Sequence, residues 1–135
     1  NLRIQDALPL SIGVETLGDK FKPILEQNLP IPSSNTTTLM TCRNNQKNAK
    51  IPIYEGLYSS VPENTFLGEL EITGIPRGPA GSVEIEITLS LNQNGILEAA
   101  AKNTSNGATV TTTIAYETKF ETSGSPQTLP ANDNV

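Results

Sequence analysis

The chain has 135 residues, room for one domain with one core, and its lack of His and Trp with a single Cys excludes a histidine-based catalytic triad, a His-containing zinc site and a paired-cysteine redox motif. A formal charge of -5 repels a phosphate backbone, so no nucleic-acid partner is expected. No apolar run approaches the roughly 20 residues that cross a bilayer, residues 1–6 lack a basic-then-apolar signal pattern, and one Cys can form no internal disulfide, which together predict a soluble, cytoplasmic chain with no membrane partner.

Ten Gly and ten Pro punctuate the chain at short intervals, and Thr, Val and Ile supply the β-branched stock of pleated, half-buried surfaces. Leu10, Ile12 and Val14 alternate with Ser11, Gly13 and Glu15, which predicts a first strand; a Gly18-Asp19 turn leads to a second over residues 21–26. Further strands are expected over 36–42, 49–55 and 67–73. Pro52 lacks a ladder donor, so its strand should lie at a sheet edge or carry a bulge. From Val83 to Leu91 every odd position is apolar and every even one polar, the period of a strand with one face in the core. Asn94-Gly95 supplies left-handed backbone for a tight hairpin into residues 95–102, and Asn106-Gly107 turns the chain into 109–116, where Val110, Thr112, Ile114 and Tyr116 share a side. These last three strands form a meander. About eight short strands with no helical crossover make the expected fold class all-β, an antiparallel β-sandwich. From Glu121 onward the periodicity stops and a polar tail begins.

Few residues offer chemistry. Glu84 and Glu86, and likewise Glu69 and Glu71, stand two apart like the paired acids of a hydrolase, but alternation with apolar neighbours reads as the solvent face of a strand. Cys42 has no histidine to activate it and reads as a small semi-buried thiol. Gly74 to Gly81 is Gly-rich, yet its two prolines remove amide donors and neither a helix start nor a Lys-Ser/Thr pair follows, so it reads as a rigid loop rather than a phosphate cradle. Two glycosylation sequons, at Asn35 and Asn103, are no more than a chain this rich in Asn, Ser and Thr contains by chance. Composition and periodicity therefore reach an acidic β-sandwich that binds rather than catalyses.

More specific is Asp6-Ala7-Leu8-Pro9-Leu10-Ser11-Ile12-Gly13-Val14-Glu15-Thr16, which closely resembles the opening of the peptide-binding domain of the 70-kDa heat-shock chaperones. The likeness continues through Asn28-Leu29-Pro30-Ile31-Pro32, Tyr54-Glu55-Gly56, Asn64-Thr65-Phe66-Leu67-Gly68, Thr73-Gly74-Ile75-Pro76 and Asn94-Gly95-Ile96-Leu97, and spans residue 6 to about 116. The resemblance implies a molecular chaperone's substrate-binding domain, not itself an enzyme, that holds short extended apolar segments of unfolded client proteins in a channel. Its implied partners are those clients, co-chaperones and a separate nucleotide-binding domain, which would carry ATP and Mg; no cofactor is expected in this domain. Matched by position, the resemblance places the central pocket at Val14, Thr16, Leu39, Ala49, Ile51 and Ile85. It places Leu17 and Cys42 as an arch over the bound backbone, with Glu15, Gly18, Met40, Lys50 and Gly81 alongside.

It also implies a division into an interdomain-linker remnant over 1–5, the sandwich over 6–118 and a flexible tail over 119–135, with no helical lid in this chain. Leu39 stands where the family usually has Phe, and Ala49 where it usually has Val, which predicts a wider pocket that favours bulky side chains over Leu. Asn44 and Ala80 replace the Asp and Arg that latch the family's lid, and Arg3 and Gln5 make the linker more polar. Two other readings fit the residues: a structural or adhesion sandwich without a channel, and a divergent family member acting as a co-chaperone or regulator.

Overall fold

The computed structural model describes residues 7–116, all within one sandwich. The strands are β1 (Ser11–Thr16), β2 (Lys20–Leu25), β3 (Ser33–Met40), β4 (Ala49–Gly56), β5 (Thr65–Ile72), β6 (Glu84–Leu91), β7 (Ile96–Asn103) and β8 (Thr109–Ala115), with a 3-10 turn at Val61–Glu63. They form two four-stranded antiparallel sheets, ordered β2-β1-β4-β5 and β3-β6-β7-β8. The all-β sandwich expected from the repeated short strands is thus the fold. The linker remnant, the polar tail and the expected absence of a lid fall on residues 1–6 and 117–135, outside the described residues.

The strict alternation of β6 buries Ile85, Ile87, Leu89 and Leu91 and leaves Glu84, Glu86, Thr88 and Ser90 on the outer side. Ser34 and Thr36 of β3 make hydroxyl pairs with Ser90 and Thr88, both at 2.8 Å, while Glu84 stands opposite Met40 in register. Glu86 stands opposite Lys102 in register, on the side of β6 away from the core. Together β6, β7 and β8 form the expected meander.

Two local expectations change and a third is met by one of its alternatives. Of the Asn94-Gly95 pair only Gly95 is left-handed, at φ 79°; the turn closes instead on Asn92, whose Oδ1 accepts the amides of Asn94 and Ile96 at 2.8 and 3.0 Å. The side-chain acceptor replaces the second left-handed residue a two-residue turn requires. β3 begins at Ser33 rather than Thr36, because its first residues pair with Leu91, Ser90 and Leu89 without an apolar signal of their own. Pro52 lies on an interior strand, but β1 pairs with β4 only from Ile53 to Gly56, so Pro52 falls where that flank is already open. The β4–β5 register also shifts between Ile53 and Tyr54, which supplies the expected bulge.

Between the sheets lies an aliphatic core in which Ile12, Val14, Leu25, Ile53, Ile87, Leu89 and Leu97 are fully buried. Close approach of β1 and β2 depends on Gly13, where a Cβ would come within 2.0 Å of the Lys22 carbonyl oxygen. Edge strand β2 is blunted by Pro23 and by the Phe21 amide, which donates to the Ser59 carbonyl at 2.9 Å. At the end of the sandwich where β4 and β8 finish, Tyr116 is buried and its hydroxyl donates to the buried Glu55 carboxylate at 2.5 Å. Burial, and then that hydrogen bond, push the Tyr116 phenol far above its ordinary range.

Candidate binding cleft

The opposite end of the sandwich gathers the end of β1, the end of β3, the start of β4 and the start of β6. Leu17, Gly18 and Asp19 carry the chain from β1 to β2, with Gly18 and Asp19 both left-handed (φ 84° and 58°). Residues 41–48 connect β3 to β4. Between these two loops opens a cleft of about 780 Å³.

Its floor is apolar. Ile51 and Ile85 are each 3% exposed, and Leu39 and Ala49, half-buried, pack against the core from above. Its rims are also apolar but stand in solvent: Leu17 on the β1–β2 side is 79% exposed and Met40 on the β3 side 58%. Large apolar side chains held in water cost free energy unless something covers them, and two of them over an apolar floor form a site shaped for an apolar ligand. β3 is an edge strand, bonded in its sheet only to β6, so its other flank is open to an extended backbone.

The β3–β4 loop is braced rather than free. The Gln46 side-chain oxygen accepts the Cys42 and Arg43 amides at 2.8 and 3.3 Å, while its Nε2 donates to the Asn48 carbonyl at 3.0 Å. Thr41 donates its amide to the Val83 carbonyl at 3.1 Å, and its own carbonyl accepts the Gly81 amide at 2.7 Å. The Gly-rich segment packs behind: Gly78 donates to Asn45 Oδ1 at 3.1 Å and Ala80 to Asn44 Oδ1 at 2.9 Å. Those amides hold a loop, so the segment is the rigid support that its prolines predicted and not an anion cradle. Asn44 and Ala80 are neighbours, joined by the Ala80 amide donating to the Asn44 side-chain oxygen instead of by a charge pair.

Of the residues singled out from the sequence, Glu15, Thr16, Leu17, Gly18, Leu39, Met40, Cys42, Ala49, Lys50, Ile51 and Ile85 line this one cleft. Val14 does not: fully buried, it lies in the core. Gly81 does not either, and acts from behind through Thr41. Cys42 is exposed rather than semi-buried, because the turn after Thr41 swings it out of the strand. Sequence reasoning missed Asp19, Thr38, Thr41, Gln46 and Pro52 as lining residues; Asp19, Thr41 and Gln46 are polar loop positions with no periodicity to mark them, and Thr38 and Pro52 sit on exposed or half-exposed strand positions.

Electrostatically the β1 rim is acidic. Partial burial, then a hydrogen bond to Asp19, then the Asp19 charge raise the Glu15 carboxyl above its ordinary value. Among the described residues no group of three or more His, Cys, Asp or Glu side chains is placed to hold a metal.

Comparison with known proteins gives one result. A family model described as Hsp70 protein matches residues 1–129. The chain is similar to the heat shock 70 kDa protein of Emericella nidulans, at 38% identity over 112 residues, 83% of this chain and 17% of that protein. It is also similar to the heat shock 70 kDa protein of Penicillium citrinum, at 37% over 112 residues, 83% of this chain and 22% of that protein. With the chaperone protein DnaK of Methanothermobacter thermautotrophicus the identity is 35% over 120 residues, 89% of this chain and 20% of that protein. The chain thus spans about a fifth of the length of these relatives.

Proposed function

The chain belongs to the Hsp70 protein family, and from that premise we propose that it is the family's peptide-holding part, which grips short extended apolar stretches of unfolded proteins. The observation that carries this reading is the pair Leu17 and Met40, exposed on facing rims of a cleft floored by Leu39, Ala49, Ile51 and Ile85. An extended peptide pairs its backbone with the open flank of β3 and its loop, and sinks one side chain onto that floor. Backbone pairing is blind to sequence, so the floor sets preference and the rims set residence time. Binding of Mg and ATP, and hydrolysis of the ATP, belong to a nucleotide-binding part of the parent, and co-chaperones to the parent as a whole. A single exposed thiol suits a reducing compartment such as the cytoplasm.

Fluorescence anisotropy of a labelled apolar heptapeptide tests this. The chain is expected to saturate at micromolar concentration. A Leu17→Ser, Met40→Ser double variant, altered only at exposed positions, is expected to bind at least tenfold more weakly. No saturable peptide binding, together with saturable binding of ATP, would contradict the proposal and assign the segment to nucleotide hydrolysis instead.

A further inference from the structure

The edge strands of the two sheets are not equally guarded. β2 carries Lys20, Lys22 and Pro23, and β5 carries Glu69 and Glu71, devices that discourage a further strand. β3 is uncharged, but its open flank borders the cleft. β8 has no such guard: Thr109-Val110-Thr111-Thr112-Thr113-Ile114-Ala115 holds no charge, Pro or Gly, and its register with β7 runs without a bulge.

The core also ends uncovered along β8. Val110, Thr112 and Ile114 face inward beside Ala101, Ala99 and Leu97 of β7. Those three neighbours are fully buried, whereas the β8 side chains are only half-buried. This holds although Gly68 of β5 leaves room for Ile114 to lean inward, a Cβ at Gly68 coming within 2.9 Å of the Ile114 Cδ1. Among the described residues no strand pairs with the flank of β8 that faces away from β7. An open ladder beside half-covered apolar side chains is completed by one more strand.

The strand that fits best is β8 itself. Run antiparallel against its own copy about a two-fold axis at Thr112, it sets Val110 opposite Ile114 on the core side and Thr111 opposite Thr113 on the outer side. A slip of one residue would put the apolar and hydroxyl rows on the wrong faces, so the pattern fixes the register. No charge meets a like charge across the seam, which matters for two copies that each carry a net charge of -5.

We propose that β8 is a self-association edge, along which two copies of the chain join β8 to β8 so that their β3-β6-β7-β8 sheets become one continuous sheet. The two β3 edges then lie at its outer margins, about 34 Å apart at the ordinary spacing between strands, and both clefts stay open.

Sedimentation velocity from micromolar to millimolar concentration tests it. The unaltered chain is expected to pass from monomer to dimer, and to do so at lower concentration when salt screens the shared negative charge. A Thr111→Lys, Thr113→Lys double variant, changed only at exposed positions, sets lysine opposite lysine and is expected to weaken the dimer at least tenfold. Thr111→Glu, Thr113→Glu is expected to do the same. Mixing the two variants is expected to restore a dimer with one copy of each, which also shows that both fold. A chain that stays monomeric at millimolar concentration overturns the proposal, as does a dimer that the lysine pair leaves unchanged. Failure of the mixture to dimerise, with the unaltered chain dimeric, overturns the antiparallel pairing. Hydrogen exchange needs no variant: alternate β8 amides are expected to gain protection only as the dimer forms. Their protection in the monomer would overturn the proposal and assign the edge to a segment of the same chain.

Discussion

Glu15 stands where the β1 ladder gives way to the cleft, its carboxyl raised first by partial burial and then by Asp19. Because the folded carboxyl takes its proton more readily than the unfolded one, folding is disfavoured wherever both are ionised, and the penalty fades as pH falls toward the ordinary value of 4.5. Glu15→Gln is therefore expected to raise the thermal midpoint at pH 7 and to give no gain below pH 4.5; melting curves at the two pH values check it. Tyr116 is the opposite case, a buried donor that satisfies a buried carboxylate. Tyr116→Phe leaves Glu55 short of that partner at a cost of about 1–3 kcal/mol, measurable by urea denaturation. At the cleft floor, Ala49→Val narrows the pocket, and is expected to tighten Leu-centred peptides severalfold and weaken Phe-centred ones. Unchanged ranking in a peptide array would remove Ala49 from the specificity account.

Among the elements, β6 shows how much a sequence can disclose when one face is dry and the other wet, since its alternation names both faces without reference to any other strand. β3 shows the converse. Its first residues, Ser33-Ser34-Asn35, are extended because β6 supplies hydrogen-bonding partners, and a polar strand with distant partners leaves no local pattern. The turn at Asn92 departs from its local pattern for a similar reason: a side-chain acceptor two residues upstream takes the place expected of the Asn94 backbone. Close packing is equally silent. Gly13 reads as one more small residue in an alternating run, yet its missing Cβ lets β2 approach. Gly13→Ala is expected to destabilise the sandwich by at least about 2 kcal/mol, with β2 amides losing protection first in hydrogen exchange.

For the whole molecule, the sandwich separates its polar buried pair, Glu55 and Tyr116, at one end from the apolar cleft at the other. The cleft combines two loops and the ends of four strands, so no stretch of sequence contains it. Periodicity placed Ile85 on the core face of its strand, and only the family resemblance grouped Ile51 and Ile85 with Leu17 and Met40 across distant positions. What the resemblance does not convey is how the wall is held: the side-chain oxygens of Gln46, Asn44 and Asn45 accept backbone amides, which residue matching does not reveal. The central claim is that the floor between these loops holds an apolar side chain of an extended peptide. Its most direct test is photo-crosslinking with a heptapeptide whose central residue is photo-leucine, followed by mass mapping of the modified residues. The account predicts saturable labelling confined to Thr16, Leu39, Ala49, Ile51 and Ile85, competed away by unlabelled peptide. Labelling that does not saturate, or that falls on the outer faces of the sheets instead, would contradict it.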